Sequence, residues 1–170
     1  MKIGIIGAGN IGGAIAKGLI KFGNVSGTDV LLSRKKKDLL GEYSALGLTL
    51  CKGNSELVEA SDVIILAVLP IQAKDIVEEI APLFKKGKHT LVSVVSAVSI
   101  TEIETWSNNL VPVVRIMPNT AVEFGESMTC IAGNDPDAEK IVEEIFNPLG
   151  STMIIQERLM PAATILAACG

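Results

Sequence analysis

Directly after the apolar run Ile3-Gly4-Ile5-Ile6 the chain reads Gly7-Ala8-Gly9-Asn10-Ile11-Gly12, and a helical stripe follows at once. Ile11, Ala14, Ile15, Gly18, Leu19 and Phe22 recur at helical spacing and line one face. Strand, GxGxxG and helix in immediate succession leave few ways to fold. Gly7 permits a tight turn off the strand, Gly9 lets backbone approach a bound group, and Gly12 lets the helix pack close to the sheet. The positive end and free N–H groups of the helix then face that group, which suits a pyrophosphate.

The pattern continues along the chain. Strands are expected at Lys2–Ile6, Thr28–Ser33, Leu48–Cys51, Asp62–Val68, His89–Val95, Pro112–Met117, Ser127–Ala132 and Ser151–Ile155. Val63-Ile64-Ile65-Leu66 is apolar without alternation, as for a sheet covered on both faces. Between strands lie helical patterns. Asp135-Pro136 reads as an N-cap with proline at the first helical position, and Ala138, Ile141, Val142, Ile145 and Phe146 form its stripe. Thr101 with Glu104 reads as a capping box, and Asn54 as the cap of a helix over Ser55–Ala60. Repeated strand–helix units predict an α/β fold, a Rossmann-type doubly wound, mainly parallel sheet with helices on both faces. This dinucleotide-binding domain is expected over residues 1–156. Residues 157–170 are expected to begin a helical segment, apolar nearly all round, that needs burial by something beyond it or by lying back on its own domain.

Composition excludes several classes. A net charge of −4 argues against nucleic acid as the main partner. The longest strongly apolar run, Val63–Leu69, is too short to span a bilayer. The start enters structure at once, without room for a targeting peptide, so a soluble cytoplasmic protein is expected. Cys51, Cys130 and Cys169 lie far apart, outside any metal-type spacing, and read as buried free thiols. No metal site is expected.

The nucleotide is chosen at the end of the second strand, where an NAD reader places a carboxylate on the ribose hydroxyls. Here the strand runs into Ser33-Arg34-Lys35-Lys36-Lys37, and Asp29 lies at its wrong end. Four cations at an expected helix start oppose the helix dipole. A 2′-phosphate offsets that repulsion, with Ser33 donating a hydrogen bond and Arg34 a two-pronged one. Lys36 and Lys37 are read as solvated. NADP(H) is therefore preferred, with NAD(H) as second choice.

Together with the opening glycines and the Ser33-Arg34 pair, three further segments point to one family. They are Asn54 with Glu56-Leu57-Val58, Ala67-Val68-Leu69-Pro70, and Val114-Arg115-Ile116-Met117-Pro118-Asn119-Thr120 followed by Gly125-Glu126-Ser127-Met128-Thr129. The chain resembles the N-terminal domain of pyrroline-5-carboxylate reductase along essentially its whole length. The resemblance implies NAD(P)H-dependent reduction of a cyclic imine to proline, a helical C-terminal domain that is missing here, and a homodimer or higher homo-oligomer formed through it. It implies that Gly7, Ala8, Gly9, Asn10, Ile11 and Gly12 hold the pyrophosphate, and Ser33 and Arg34 the adenosine phosphate. Asn54 would touch the adenosine part. Ala67, Val68, Leu69 and Pro70 and the stretch Ser93 to Ala97, Ser96 included, would line the cofactor towards the nicotinamide. Met117, Pro118, Asn119 and Thr120 would sit beside the reacting ring. Leu69 stands where the family usually has lysine, Ala97 where glycine is usual and Ala121 where proline follows Asn-Thr; Ala167-Ala168-Cys169-Gly170 replaces a Ser-Gly-Ser-Gly type run.

Hydride transfer needs placement above all. The single histidine, His89, is expected at the base of a strand, away from the ligand end, and reads as structural. No catalytic residue is assigned; Asn119 and Thr120 are the candidates for substrate contact, with capping of a tight loop as their alternative role. An imine can arrive already protonated, whereas a carbonyl reductase wants a positioned acid. The alternatives are another reductase on the same cofactor domain, such as a β-hydroxyacid dehydrogenase or a deazaflavin-dependent NADP reductase, and a non-catalytic NADP-sensing or partner-binding module. The reading of the basic turn predicts that Arg34→Ala weakens NADPH but not NADH in isothermal titration. Equal binding of both nucleotides, untouched by the substitution, contradicts it.

Overall fold

A computed structural model describes the chain over residues 1–33 and 40–169. The apolar runs become strands of one sheet: β1 (Ile3–Ile6), β2 (Val30–Ser33), β3 (Thr49–Leu50), β4 (Val63–Leu66), β5 (Thr90–Ser93), β6 (Val113–Met117), β7 (Ser127–Gly133) and β8 (Gly150–Ile154). The order across the sheet is β3-β2-β1-β4-β5-β6-β7-β8. Helices α1 (Asn10–Phe22), α2 (Leu40–Ala45), α3 (Asn54–Ala60), α4 (Pro70–Ile80), α5 (Ile100–Trp106), α6 (Pro136–Phe146) and α7 (Met160–Cys169) connect and follow them. All eight expected strands are present. The second begins later than expected, because Gly27–Asp29 forms a 3-10 turn ahead of it.

Strands β1 to β6 run parallel, β7 is antiparallel to β6, and β8 is parallel to β7. The reversal follows from connection length. Residues 118–126 link β6 to β7 through one 3-10 turn, too short for a parallel crossover, whereas α6 supplies a full crossover from β7 to β8.

Both faces are covered. Ile3, Ile5, Val30, Leu32, Ile65 and Val92 pack beneath α1 and α6. Ile6, Leu31, Ile64, Leu66, Leu91 and Val113 pack beneath α3, α4 and α5. Each strand therefore needs apolar side chains on successive residues, which explains the missing alternation. Helix α3 approaches so closely that a Cβ on Gly4 would run into the Leu57 side chain and the Ser61 hydroxyl.

The helices correct the sequence reading at three points, two starts and one buried face. The capping box lies at Ser99 and Glu102, not at Thr101 and Glu104: the Ser99 hydroxyl accepts from the Glu102 N–H at 3.2 Å, and the Glu102 carboxylate accepts from the Ser99 N–H at 2.8 Å. Asn54 is the first helical residue of α3 and does not cap it; Gly53 takes that place without a side-chain bond. Ile141 is exposed, and Ala138, Val142, Ile145 and Phe146 carry the buried stripe of α6. Asp135 caps α6 as expected, accepting from the Ala138 N–H at 2.9 Å.

The C-terminal segment divides its apolar side chains. Met160 is buried with Met117 and Ala132, and Ala163 is also buried, whereas Ile165 and Leu166 are exposed. Glu157, just before α7, accepts from the Arg115 guanidinium at 2.9 Å and from the Ile100 N–H at 2.7 Å through one oxygen. Arg115 is buried on β6 and Ile100 opens α5, so this carboxylate ties three elements together. Of the cysteines, Cys51 is buried and Cys130 half-buried, both free, and burial pushes both thiols up. No helix among the described residues is long and apolar enough to cross a membrane.

His89 lies buried at the amino end of β5, as expected. Its Nδ1 accepts from the Lys85 N–H at 3.1 Å, its ring meets Phe84 edge-on, and its Nε2 finds no partner among the described residues. Burial pushes the imidazole below its ordinary value, Lys88 and Lys85 add to that, and Asp62 opposes it. The unfolded chain therefore takes up this proton first as pH falls. The contribution of neutral His89 is complete above the ordinary histidine range near ~6.5 and is lost as pH drops from there towards the lowered folded value. In urea titrations the wild type should lose stability between pH 8 and pH 5, and His89→Asn should lose less over the same interval. An identical pH dependence in both would contradict this account.

Candidate cofactor-binding site

The register of the sheet builds the site. Ile6, Ser33, Leu66 and Ser93 stand level across β2, β1, β4 and β5. Hydrogen bonds continue one step past the strands: Gly7 N–H donates to Ser33 O at 3.1 Å, Ala67 N–H to Ile6 O at 2.8 Å and Val94 N–H to Leu66 O at 3.0 Å. The loops after these strands thus leave one edge, with the glycine turn where strand order reverses between β1 and β4. In such sheets that crevice is where ligands bind.

Within the turn, Gly7 takes φ +100, which disfavours a side chain, and its own Cβ would strike the Ala67 carbonyl. A Cβ on Gly12 would overlap the Gly7 carbonyl oxygen. Internal packing therefore explains both glycines. Gly9 differs: its φ is −80, open to any residue, and a Cβ there would meet nothing within 4 Å. It leaves open space at the head of α1. The first bond of that helix runs from Gly13 N–H to Gly9 O at 2.8 Å, so the Asn10, Ile11 and Gly12 amides precede it and find no acceptor within the helix. No acidic residue stands in the first turn and no side chain caps it. These residues fit a pyrophosphate.

A cleft of about 360 Å³ opens beside the turn, bounded by Ala8, Gly9, Asn10, Gly13, Lys17, Tyr43, Thr120 and Glu123 among others. Sequence reading missed Gly13, Lys17, Tyr43 and Glu123. A Cβ on Gly13 would crowd the Tyr43 hydroxyl, which would have to shift. The adjacent pair Gly12-Gly13 in a helix was the available signal. Lys17 reaches Glu42 at 2.9 Å and Glu123 at 3.6 Å. The hydrogen bond to Glu42 holds the ammonium above its ordinary value, and Glu123 adds to this. A lysine kept charged and paired is a poor proton donor.

At the end of β2, Ser33 is buried and its hydroxyl donates to Asn54 Oδ1 at 2.7 Å. The structure brings Ser33 and Asn54 together, and here the Ser33 proton goes to Asn54 and not outward, where the sequence reading has it donate to a 2′-phosphate; Arg34 lies outside the described residues. The other expected positions sort into two groups. Ala67 is buried against the glycine turn, Val68 is half-buried, and Leu69, Pro70 and Ser96 are exposed at the mouth. Pro70 also opens α4, where the Gln72 side chain accepts from the Leu69 N–H at 3.3 Å. Ser93 is buried and its hydroxyl accepts from the Val95 N–H at 3.2 Å, so it shapes its own loop. Ala97 takes φ +58, a conformation costing an L residue roughly 1 kcal/mol and glycine nothing.

Met117 points into the cluster with Met160, and Pro118 is buried. Asn119 Oδ1 accepts from the Ala121 N–H at 3.1 Å and caps the 3-10 turn Thr120–Phe124, so its alternative role is the observed one. Thr120 is exposed and faces the cleft. Among the described residues no group of His, Cys, Asp and Glu is placed to hold a metal ion.

Strand order, open glycine turn and level loop ends define a dinucleotide-binding domain. A family model described as NADP oxidoreductase, coenzyme F420-dependent, matches residues 2–97, and the chain belongs to that family. It is similar to the N-terminal NAD(P)-binding domain of pyrroline-5-carboxylate reductases. It is 32% identical over 187 residues to pyrroline-5-carboxylate reductase 2 of Dictyostelium discoideum, covering 99% of this chain and 62% of the relative. The crystal structure of the Plasmodium falciparum pyrroline carboxylate reductase with NADP bound superposes with a TM-score of 0.89 at 26% identity, covering 98% of this chain and 62% of that one. The Coxiella burnetii pyrroline-5-carboxylate reductase gives 0.91 at 26% identity, covering 99% and 64%. The chain thus spans less than two thirds of the length of these relatives.

The two kinds of glycine predict different outcomes. Gly12→Ala should cost at least about 3 kcal/mol of stability, because backbone must move. Gly9→Ala should cost only ~0.5–1 kcal/mol as a poorer N-cap, yet weaken NADPH at least about tenfold by crowding its pyrophosphate. Thermal unfolding and titration calorimetry on both variants separate the effects. Unchanged NADPH binding by Gly9→Ala would contradict this reading of the turn.

Proposed function

We propose that this chain is the cofactor-binding part of an NADP(H)-dependent reductase that converts the cyclic imine 1-pyrroline-5-carboxylate to L-proline. The observation that carries the proposal is the open Gly9 at the head of α1, beside the level carboxyl ends of β2, β1, β4 and β5. The similarity to pyrroline-5-carboxylate reductases along nearly the whole chain supports the choice of substrate.

NADPH, when bound, supplies the hydride. The amides of Asn10, Ile11 and Gly12 hold the pyrophosphate. Ser33, Arg34 and Asn54 address the adenosine end, with the basic turn supplying charge. The loops Ala67 to Pro70 and Ser93 to Ala97 flank the nicotinamide end, and Thr120 bounds the substrate side. Leu69, exposed just after β4, adds apolar surface at that edge. No proton donor is required, since the imine can arrive protonated. The residues at the cleft agree: Lys17 is held as a paired cation, and Asn119 is committed to its turn.

The proposal extends to a helical continuation and a homo-oligomer built through it. The exposed Ile165 and Leu166 on α7 support this, as does the longer span of the relatives. A second reading, hydride exchange between NADP and coenzyme F420, has the family's description as its support.

The test follows NADPH absorbance with the full-length polypeptide. Pyrroline-5-carboxylate should be consumed with NADPH and proline should form. Turnover of F420 but not of the imine would select the second reading. NADPH binding without turnover of either would leave a cofactor-binding module.

A further inference from the structure

Beside Ser33 and Asn54 lies a carboxylate that the cofactor reading does not use. The Asn54 Nδ2 reaches both oxygens of Glu79, near the end of α4, at 3.4 and 3.5 Å. Ser33 sits on β2 and Asn54 on α3, so three separate elements bring this chain of polar groups together. Its direction is set by chemistry. Glu79 can only accept, which turns the Asn54 amide N–H groups towards it and leaves Asn54 Oδ1 to accept the Ser33 proton at 2.7 Å. The Ser33 hydroxyl has one proton and has given it away. The pair therefore offers a ligand the Ser33 oxygen as acceptor and one remaining amide N–H as donor.

A ribose 2′-hydroxyl, which donates and accepts, matches that offer as it stands. A 2′-phosphate carries only acceptors and a double negative charge. It needs the donors that Glu79 and Asn54 have engaged, and it is repelled by the Glu79 charge. We propose that Glu79 is a specificity-determining residue that restrains NADPH binding at the end of β2 and narrows its advantage over NADH. It acts through Asn54 and by its charge, so it is a positioning residue. The inference rests on the cofactor reading above. Like-charge repulsion of a dianion at the reach of a side chain is screened but not removed in solution, and it amounts to about three- to tenfold in affinity.

The test measures Kd for NADPH and for NADH by titration calorimetry on the 170-residue chain, its Glu79→Gln and Glu79→Ala variants, and Glu78→Gln. Glu78 is the control: it neighbours Glu79 on α4 but pairs with Lys74 at 3.8 Å. Both Glu79 variants should tighten NADPH about three- to tenfold and leave NADH within about twofold, while Glu78→Gln leaves the NADPH-to-NADH ratio in place. An unchanged ratio at Glu79, an equal loss for both nucleotides, or the same gain at Glu78 would overturn the assignment and leave the cofactor reading standing. Failure of the parent chain to bind either nucleotide would overturn both.

Discussion

The close approach of α1 to the end of β1 governs the rest of this structure. A helix can present its first-turn amides at the edge of a sheet only if its first turn sits almost on the strand that feeds it. Here that contact is backbone against backbone, with Gly12 over the Gly7 carbonyl and Gly7 against Ala67 at the end of β4. Any side chain at either position would lift the helix away. The same closeness recurs further along, where Gly18 lies over the Val122 carbonyl and draws the turn after β6 against α1. One helix thereby links the phosphate end of the crevice to the loop that bounds its far side.

Charge is arranged around that helix with some economy. Among the described residues the cleft beside the turn has one lysine, Lys17, and it is bound by carboxylates from α2 and from the turn after β6. Those pairs are partly exposed and add little stability. Their effect is geometric, since they tie α2 and the 3-10 turn after β6 to α1. The Arg115–Glu157 pair has the corresponding role on β6, where a buried guanidinium is satisfied by a carboxylate from the segment just before α7.

The architecture was legible because its signals are local. Continuous Val and Ile runs, helical stripes and GxGxxG each reflect neighbours within a few residues, and all eight strands were found. The Asp135-Pro136 helix start was legible for the same reason. The misread starts show the limit. Thr101 with Glu104 and Ser99 with Glu102 satisfy one spacing rule equally well, and only packing of Ile100 and Ile103 under the sheet selects the second. Asn54 has the composition of a cap, but a partner on β2 claims its side-chain oxygen.

By itself the sequence determined the class of fold and the place of the glycine turn, because strand period, helix period and glycine spacing are properties of adjacent residues. Tertiary structure decided which polar side chains are available to a ligand. The Asn119 side-chain oxygen caps a turn, the Ser93 oxygen accepts within its own loop, Lys17 is paired with two carboxylates, and the Ser33 proton goes to an amide that a distant glutamate orients. A hydrogen-bonding group has a fixed number of protons and lone pairs, and only the folded arrangement shows which of them are already taken.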